Sequence, residues 1–148
     1  MGIVFKKVSE FKNKYPMTVA WRLNKNSEVI EKHLNPGETV EYVFAAQKND
    51  NPLNILSTAV VALTNQRILI GRKRVVIGYF FDSITPDMFN DLKVISGIIW
   101  GKIYIDTMKE FVTLSNISRD ALNEIETKIS SFMMEEKKKY GYQNMSKK

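Results

Sequence analysis

At 148 residues, with 44 % hydrophobic and 26 % charged residues, the chain is long enough for one domain, or a domain with an extension, and for a substantial core. It has no cysteine and a single histidine, His33, which excludes disulfides, thiolate chemistry, a histidine-cluster metal site and any Ser–His or Cys–His nucleophilic pair. The net charge of +6 sits at the ends: residues 1–26 hold six Lys or Arg against Glu10, residues 135–148 hold five Lys against Glu135 and Glu136, and the middle is mildly acidic.

A basic middle would suggest a nucleic-acid groove. Basic ends suggest solvated tails or an acidic surface partner instead. The start, Met1-Gly2-Ile3-Val4-Phe5-Lys6-Lys7, has no apolar run of the signal-peptide kind. The longest apolar stretches, Ile55 to Leu63 and Val94 to Trp100, are too short to span a bilayer. The absence of disulfides fits a reducing cytoplasm, and the expected location is the cytoplasm, with a position peripheral to the membrane as the alternative.

Val4, Val8, Phe11 and Tyr15 fall on one helical face, with lysines opposite and Pro16 ending the pattern. This segment is expected either to dock on the domain or to lie on an anionic membrane as a basic amphipathic helix. Met17 to Lys25 shows no period. Asn26 or Ser27 then caps a predicted helix from Glu28 to Leu34, in which His33 is a packing residue, and Asn35-Pro36-Gly37-Glu38 turns the chain. Strands are predicted over Thr39 to Ala46, Ile55 to Leu63, Arg67 to Gly71 and Arg74 to Phe81. A two-residue hairpin is expected at Asn65-Gln66, with Asn65 able to take a positive φ. A second turn is expected at Arg72-Lys73-Arg74. The Ile55–Leu63 strand is apolar on both faces, so something must cover its second face, and the N-terminal extension is the candidate. After a break at Asp82–Asp87, further strands are predicted over Asp91 to Ile98, Trp100 to Asp106 and Glu110 to Leu114. Ser118 then opens an amphipathic helix carrying Leu122, Ile125, Ile129 and Phe132 on one face.

Several words of this chain resemble those of the bacterial pleckstrin-homology-like (PH-like) domain family. Leu63-Thr64-Asn65-Gln66-Arg67-Ile68-Leu69 resembles its hairpin, Gly78 to Ile84 its aromatic strand, Trp100 to Ile105 its glycine-centred sixth strand, and Asn35 to Glu38 the lead-in to its first strand. The resemblance implies a mainly β fold with helices: a PH-like partly open barrel of about seven antiparallel strands closed by a C-terminal helix. The expected division is an N-terminal helical extension over 1–27, the PH-like domain over 28–134, and a basic, disordered tail over 135–148.

The resemblance also implies a non-enzymatic binding or assembly module, with a protein partner or self-association as the leading expectation and no cofactor. The alternative is a peripheral binder of anionic lipid. There Arg72, Lys73 and Arg74 of the third inter-strand loop, and Lys48 of the first, would make the contact, with the N-terminal helix inserting Phe5, Val8 and Phe11. A second alternative is an enzyme with a carboxylate site near Asp82, Asp87 and Asp91. No nucleic acid, metal or small-molecule substrate is expected.

Overall fold

The structure is a computed structural model and describes residues 2–49 and 56–146. Seven strands follow one another as β1 (Val40–Gln47), β2 (Thr58–Thr64), β3 (Ile68–Lys73), β4 (Tyr79–Ile84), β5 (Phe89–Ser96), β6 (Trp100–Thr107) and β7 (Phe111–Ser118). They pair antiparallel in the order β4-β3-β2-β1-β7-β6-β5, a curled half-barrel. Helices α1 (Ile3–Lys14) and α2 (Leu23–His33) precede the sheet, and α3 (Leu122–Ser146) follows it.

The period-2 alternation of the strands divides the apolar residues between two cores. Phe44, Val61, Leu63, Ile68, Ile70, Ile103 and Leu114 point into the barrel, where Leu122, Ile125 and Ile129 of α3 close it. Val43, Ala45, Val60, Ala62 and Leu69 point outward and are covered by Val4 and Val8 of α1 and Ile30 of α2. Every residue of β2 is therefore buried, which explains its unbroken apolar run. Gly71 allows the close approach of α2, because a Cβ there would lie 2.7 Å from the Ile30 side chain. The N-terminus of α1 has no side-chain cap of its own; Glu31 of α2 accepts from the backbone N–H groups of Val4 (3.0 Å) and Phe5 (3.3 Å) instead.

Strands β1 and β7 share a single register pair, Gln47↔Ser115, and then part. The stretch between α1 and α2 fills the gap. Val19 N–H donates to the Asn116 carbonyl (3.0 Å), the Gln47 amide donates to the Val19 carbonyl (2.8 Å), and Ser118 N–H donates to the Thr18 hydroxyl (2.9 Å). The extension is thus built into the sheet as well as laid over it.

Several elements differ from the sequence reading. Helix α2 starts at Leu23, five residues before Glu28, after Arg22 in the left-handed region (φ 54°). Asn26 does not cap it, because its side chain donates to the Thr58 carbonyl and accepts from Lys73 N–H. The helix therefore runs across the boundary drawn between residues 27 and 28. The hairpin at Asn65-Gln66 is present, but Asn65 has no positive φ; the Thr64 hydroxyl accepts from Gln66 and Arg67 N–H and holds the turn. Strand β4 begins at Tyr79 instead of Arg74, since Arg74 N–H bonds the Gly78 carbonyl and Gly78, at φ 88°, closes a loop over 74–78. Finally, α3 continues to Ser146, through most of the stretch read as a tail, carried by strong helix formers such as Glu135, Glu136 and Lys139.

Arg67 lies just before β3 and makes four side-chain hydrogen bonds. Its guanidinium binds both Glu38 carboxylate oxygens (2.9 and 3.0 Å), the His33 carbonyl (2.9 Å) and the Ser83 hydroxyl (3.1 Å). His33 donates from Nδ1 to the Val29 carbonyl and stacks on Phe81 with ring centroids 4.1 Å apart, a packing role.

Candidate functional site

The far end of β3 is built differently. Arg72 and Lys73 are its last two residues and Arg74 begins the following loop. The loop's tip, Val75-Val76-Ile77, is 79 %, 87 % and 79 % exposed. Trp21 and Arg22, just before α2, come to the same place: Arg22 Nη1 donates to the Lys73 carbonyl (3.0 Å) and Trp21 N–H donates to the Thr58 hydroxyl (3.2 Å). Asn26 fixes this corner by joining β2 and β3 to α2. A cavity of about 350 Å³ lies between the two segments, with Trp21, Leu56 and Val75 giving it apolar walls and Arg22, Arg72 and Arg74 a cationic rim.

No ion pair among the described residues takes up Arg22, Arg72, Lys73 or Arg74. The cations instead act on one another. Burial, and then the positive charges of Arg74 and Arg22, hold the Arg72 pKa below the usual arginine value. A guanidinium is too basic to discharge at neutral pH, so this environment disfavours a charge that persists. Binding an anion would relieve it.

Lys48 stands apart from this cluster. It forms an ion pair with Asp82 (2.6 Å) on the wall of a second cavity of about 310 Å³, which Arg72 and Phe80 also line. Arg72 is the residue that touches both cavities. Of the four residues marked by the sequence, the structure brings three together, and it gives Lys48 a carboxylate partner. Trp21 and Arg22 were missed. They lie in the aperiodic stretch before α2, and nothing in their spacing signals that they return to β3.

The N-terminal helix docks on the domain, the first of the two expectations, and its membrane-inserting role is the one corrected. Val8 and Phe11 are 0 % and 4 % exposed, buried against β1, so the apolar face of α1 is not available for a membrane. Two of its lysines are also engaged: Lys12 Nζ donates to the Pro16 and Thr18 carbonyls, and Lys14 pairs with Glu124 (2.7 Å). Removing residues 1–16 would uncover the outer core before it tested any lipid contact. The Asp82, Asp87 and Asp91 group does not converge either. Asp82 is paired with Lys48, Asp91 accepts from Leu92 N–H, and Asp87 is exposed. Among the described residues there is no group of three or more His, Asp or Glu that could hold a metal ion.

The bacterial PH domain family's profile matches residues 34–131. The chain belongs to the bacterial PH domain family. A crystal structure of a pleckstrin homology domain from Shewanella amazonensis SB2B is similar over 74 % of this chain and 85 % of that one, at 10 % identity and a TM-score of 0.44. No curated protein sequence matches the chain. The PH fold is a general binding module. Trp21, Arg22 and Asn26 lie outside the matched segment, so one of the corner's four cations and its tryptophan come from a part of the chain that the family pattern does not cover. No helix among the described residues is long and apolar enough to cross a membrane.

Proposed function

We propose that this PH domain is a non-enzymatic, peripheral membrane-binding module that docks through the corner formed by Trp21, Arg22 and residues 72–77. The observation that carries the reading is the pairing of four cations, which no ion pair among the described residues takes up, with an exposed apolar tip. Anionic headgroups would neutralise the arginines, while Val75, Val76 and Ile77 enter the headgroup–acyl boundary. Each basic residue near an anionic surface contributes about 1 kcal/mol and each buried methylene about 0.8 kcal/mol, so neither group suffices alone and the two together do. Trp21 is suited to the interface, with an apolar body and a polar indole N–H.

The test is co-sedimentation with vesicles of phosphatidylcholine, with and without phosphatidylserine, across a range of salt. Binding should require the anionic lipid and weaken with salt. Equal binding to neutral vesicles, or none to anionic ones at low salt, would refute the reading.

A second reading, contact with a protein partner or another copy, is favoured by a separate apolar group at the β5–β6 tip. Ile98 is 89 % exposed there, beside Ile99 and Trp100. Patches of this kind mark interfaces. Light scattering on Ile98→Asp against the parent tests it: a parent oligomer that the substitution dissolves supports this reading, and a parent monomer removes its self-association form.

A further inference from the structure

Phe80 lies on β4 directly across from Arg72, and Arg74 lies two residues further along the chain from Arg72. Both guanidiniums sit over its ring, with their central carbons 4.9 Å (Arg72) and 5.4 Å (Arg74) from the ring centroid. Phe80 is 46 % exposed, and these two cations lie over its ring. Two like charges held this close repel, and the electron-rich face of one aromatic ring attracts both. We propose that Phe80 is a positioning residue that holds Arg72 and Arg74 as a preformed fork for a phosphate group, the chemistry that the membrane-docking reading requires at this corner.

The physical basis is pre-organisation. A free arginine side chain loses rotamer freedom when it binds an anion, and that loss is subtracted from affinity. A guanidinium already laid on an aromatic face has lost much of this freedom beforehand, and its planar N–H fork stays free at the edge to bond phosphate oxygens in pairs. Arg22, held to the Lys73 carbonyl, supplies a third cation beside the fork. Trp21 walls the adjoining cavity. The phosphate could belong to a lipid headgroup or to a soluble polyphosphate. The fork recognises the group that both share.

Phe80→Leu keeps an apolar residue on the strand and removes the aromatic face; Phe80→Trp keeps and strengthens the face. Without the ring, both exposed cation–π interactions disappear, which should weaken phosphate binding by roughly five- to tenfold. The experiment measures sodium tripolyphosphate binding by calorimetry, where there is no bilayer, and phosphatidylserine vesicle binding by co-sedimentation. Phe80→Leu should lose affinity in both arms with an unchanged melting temperature, and Phe80→Trp should match or exceed the parent. If Phe80→Leu fails on vesicles but binds tripolyphosphate like the parent, Phe80 acts by insertion and the fork is wrong. If it matches the parent in both arms, or if Phe80→Trp falls as far as Phe80→Leu, the fork is also wrong. Should Phe80→Leu melt early, Arg74→Gln reads the fork from the loop without touching the strand, and parent-like tripolyphosphate binding by Arg74→Gln overturns the proposal. A parent that binds vesicles but not tripolyphosphate refutes the fork and leaves membrane docking standing. A parent that binds tripolyphosphate but not vesicles does the reverse.

Discussion

Strand β3 has an arginine just before it and another near its end, and the two live in opposite surroundings. Arg67 is 14 % exposed and lies against a Glu38 side chain that is 0 % exposed, with two further donors on a carbonyl and a hydroxyl. Arg72 has no carboxylate ion-pair partner among the described residues and shares its corner with Arg22, Lys73 and Arg74. The same side chain therefore serves two purposes, set by what lies within reach. A guanidinium that bonds a carboxylate, a carbonyl and a hydroxyl of its own chain ties that chain together. One whose nearest charged neighbours are also cations has donors to offer, and the fold has been bent, through the left-handed Arg22 and the Asn26 brace, to gather such residues.

Arg67→Ala probes the first end and should have the largest effect. It leaves the covered Glu38 carboxylate unpaired, which should cost about 3 kcal/mol in a denaturant melt, while vesicle binding below the transition stays as in the parent. Parent-like stability with lost vesicle binding would invert the assignment of the two arginines. Arg72→Ala combined with Arg74→Ala probes the second end. Vesicle affinity should fall by roughly 30-fold, from about 2 kcal/mol of lost surface attraction, with the melting temperature held or raised. Val76→Asp separates apolar insertion from charge at that end. It should lower vesicle affinity by about tenfold, from about 1.5 kcal/mol of lost valine burial, and leave stability within about 0.5 kcal/mol. Retained affinity would mean that the tip does not enter the bilayer.

The smallest effect is a pH dependence confined to the paired charges. For Glu38, burial raises the pKa, but Arg67, the Asn35 N–H and the Thr64 hydroxyl outweigh it and hold it below 4.5. Burial likewise raises Glu124, and Lys14 and Tyr42 bring it below 4.5. A folded pKa below the unfolded one contributes stability above about pH 4.5, and that contribution is lost as pH falls through the lower folded value. Thermal melts should therefore show stability falling on acidification below that point. Glu38→Gln should be less stable than the parent at neutral pH and lose less on acidification. A Glu38→Gln slope equal to the parent's would show that the Arg67 pair does not carry the effect.

The barrel was legible because its signals are local. Alternation in 40–46 and 100–106, the Thr64–Arg67 turn and the 3.6-residue period after Ser118 each needed only neighbouring residues to be read. The covered second face of β2 was legible too, since a strand with no polar side must be sandwiched. The cationic corner was legible in part. Arg72, Lys73 and Arg74 are consecutive, whereas Arg22 and Trp21 reach them through a contact about fifty residues away in sequence, set by Asn26 bonding β2 and β3. Asn26 itself misled, because asparagine is a strong N-cap and this one spends its side chain across the sheet. The lysines of α1 left two readings open, because their spacing describes an amphipathic helix equally well whether its apolar face meets lipid or, as here, β1.

The central claim, that the Trp21 corner is the surface that meets an anionic membrane, has a direct spectroscopic reading. The chain has two tryptophans, and Trp100→Phe leaves Trp21 as the single reporter at the cost of one exposed hydrogen bond, to the Met17 carbonyl. With phosphatidylserine-containing vesicles its emission should shift to the blue and be quenched by brominated acyl chains, with no change on neutral vesicles. Emission that stays at the solvent-exposed wavelength while the protein co-sediments with the anionic vesicles would place the contact elsewhere on the molecule and contradict the account.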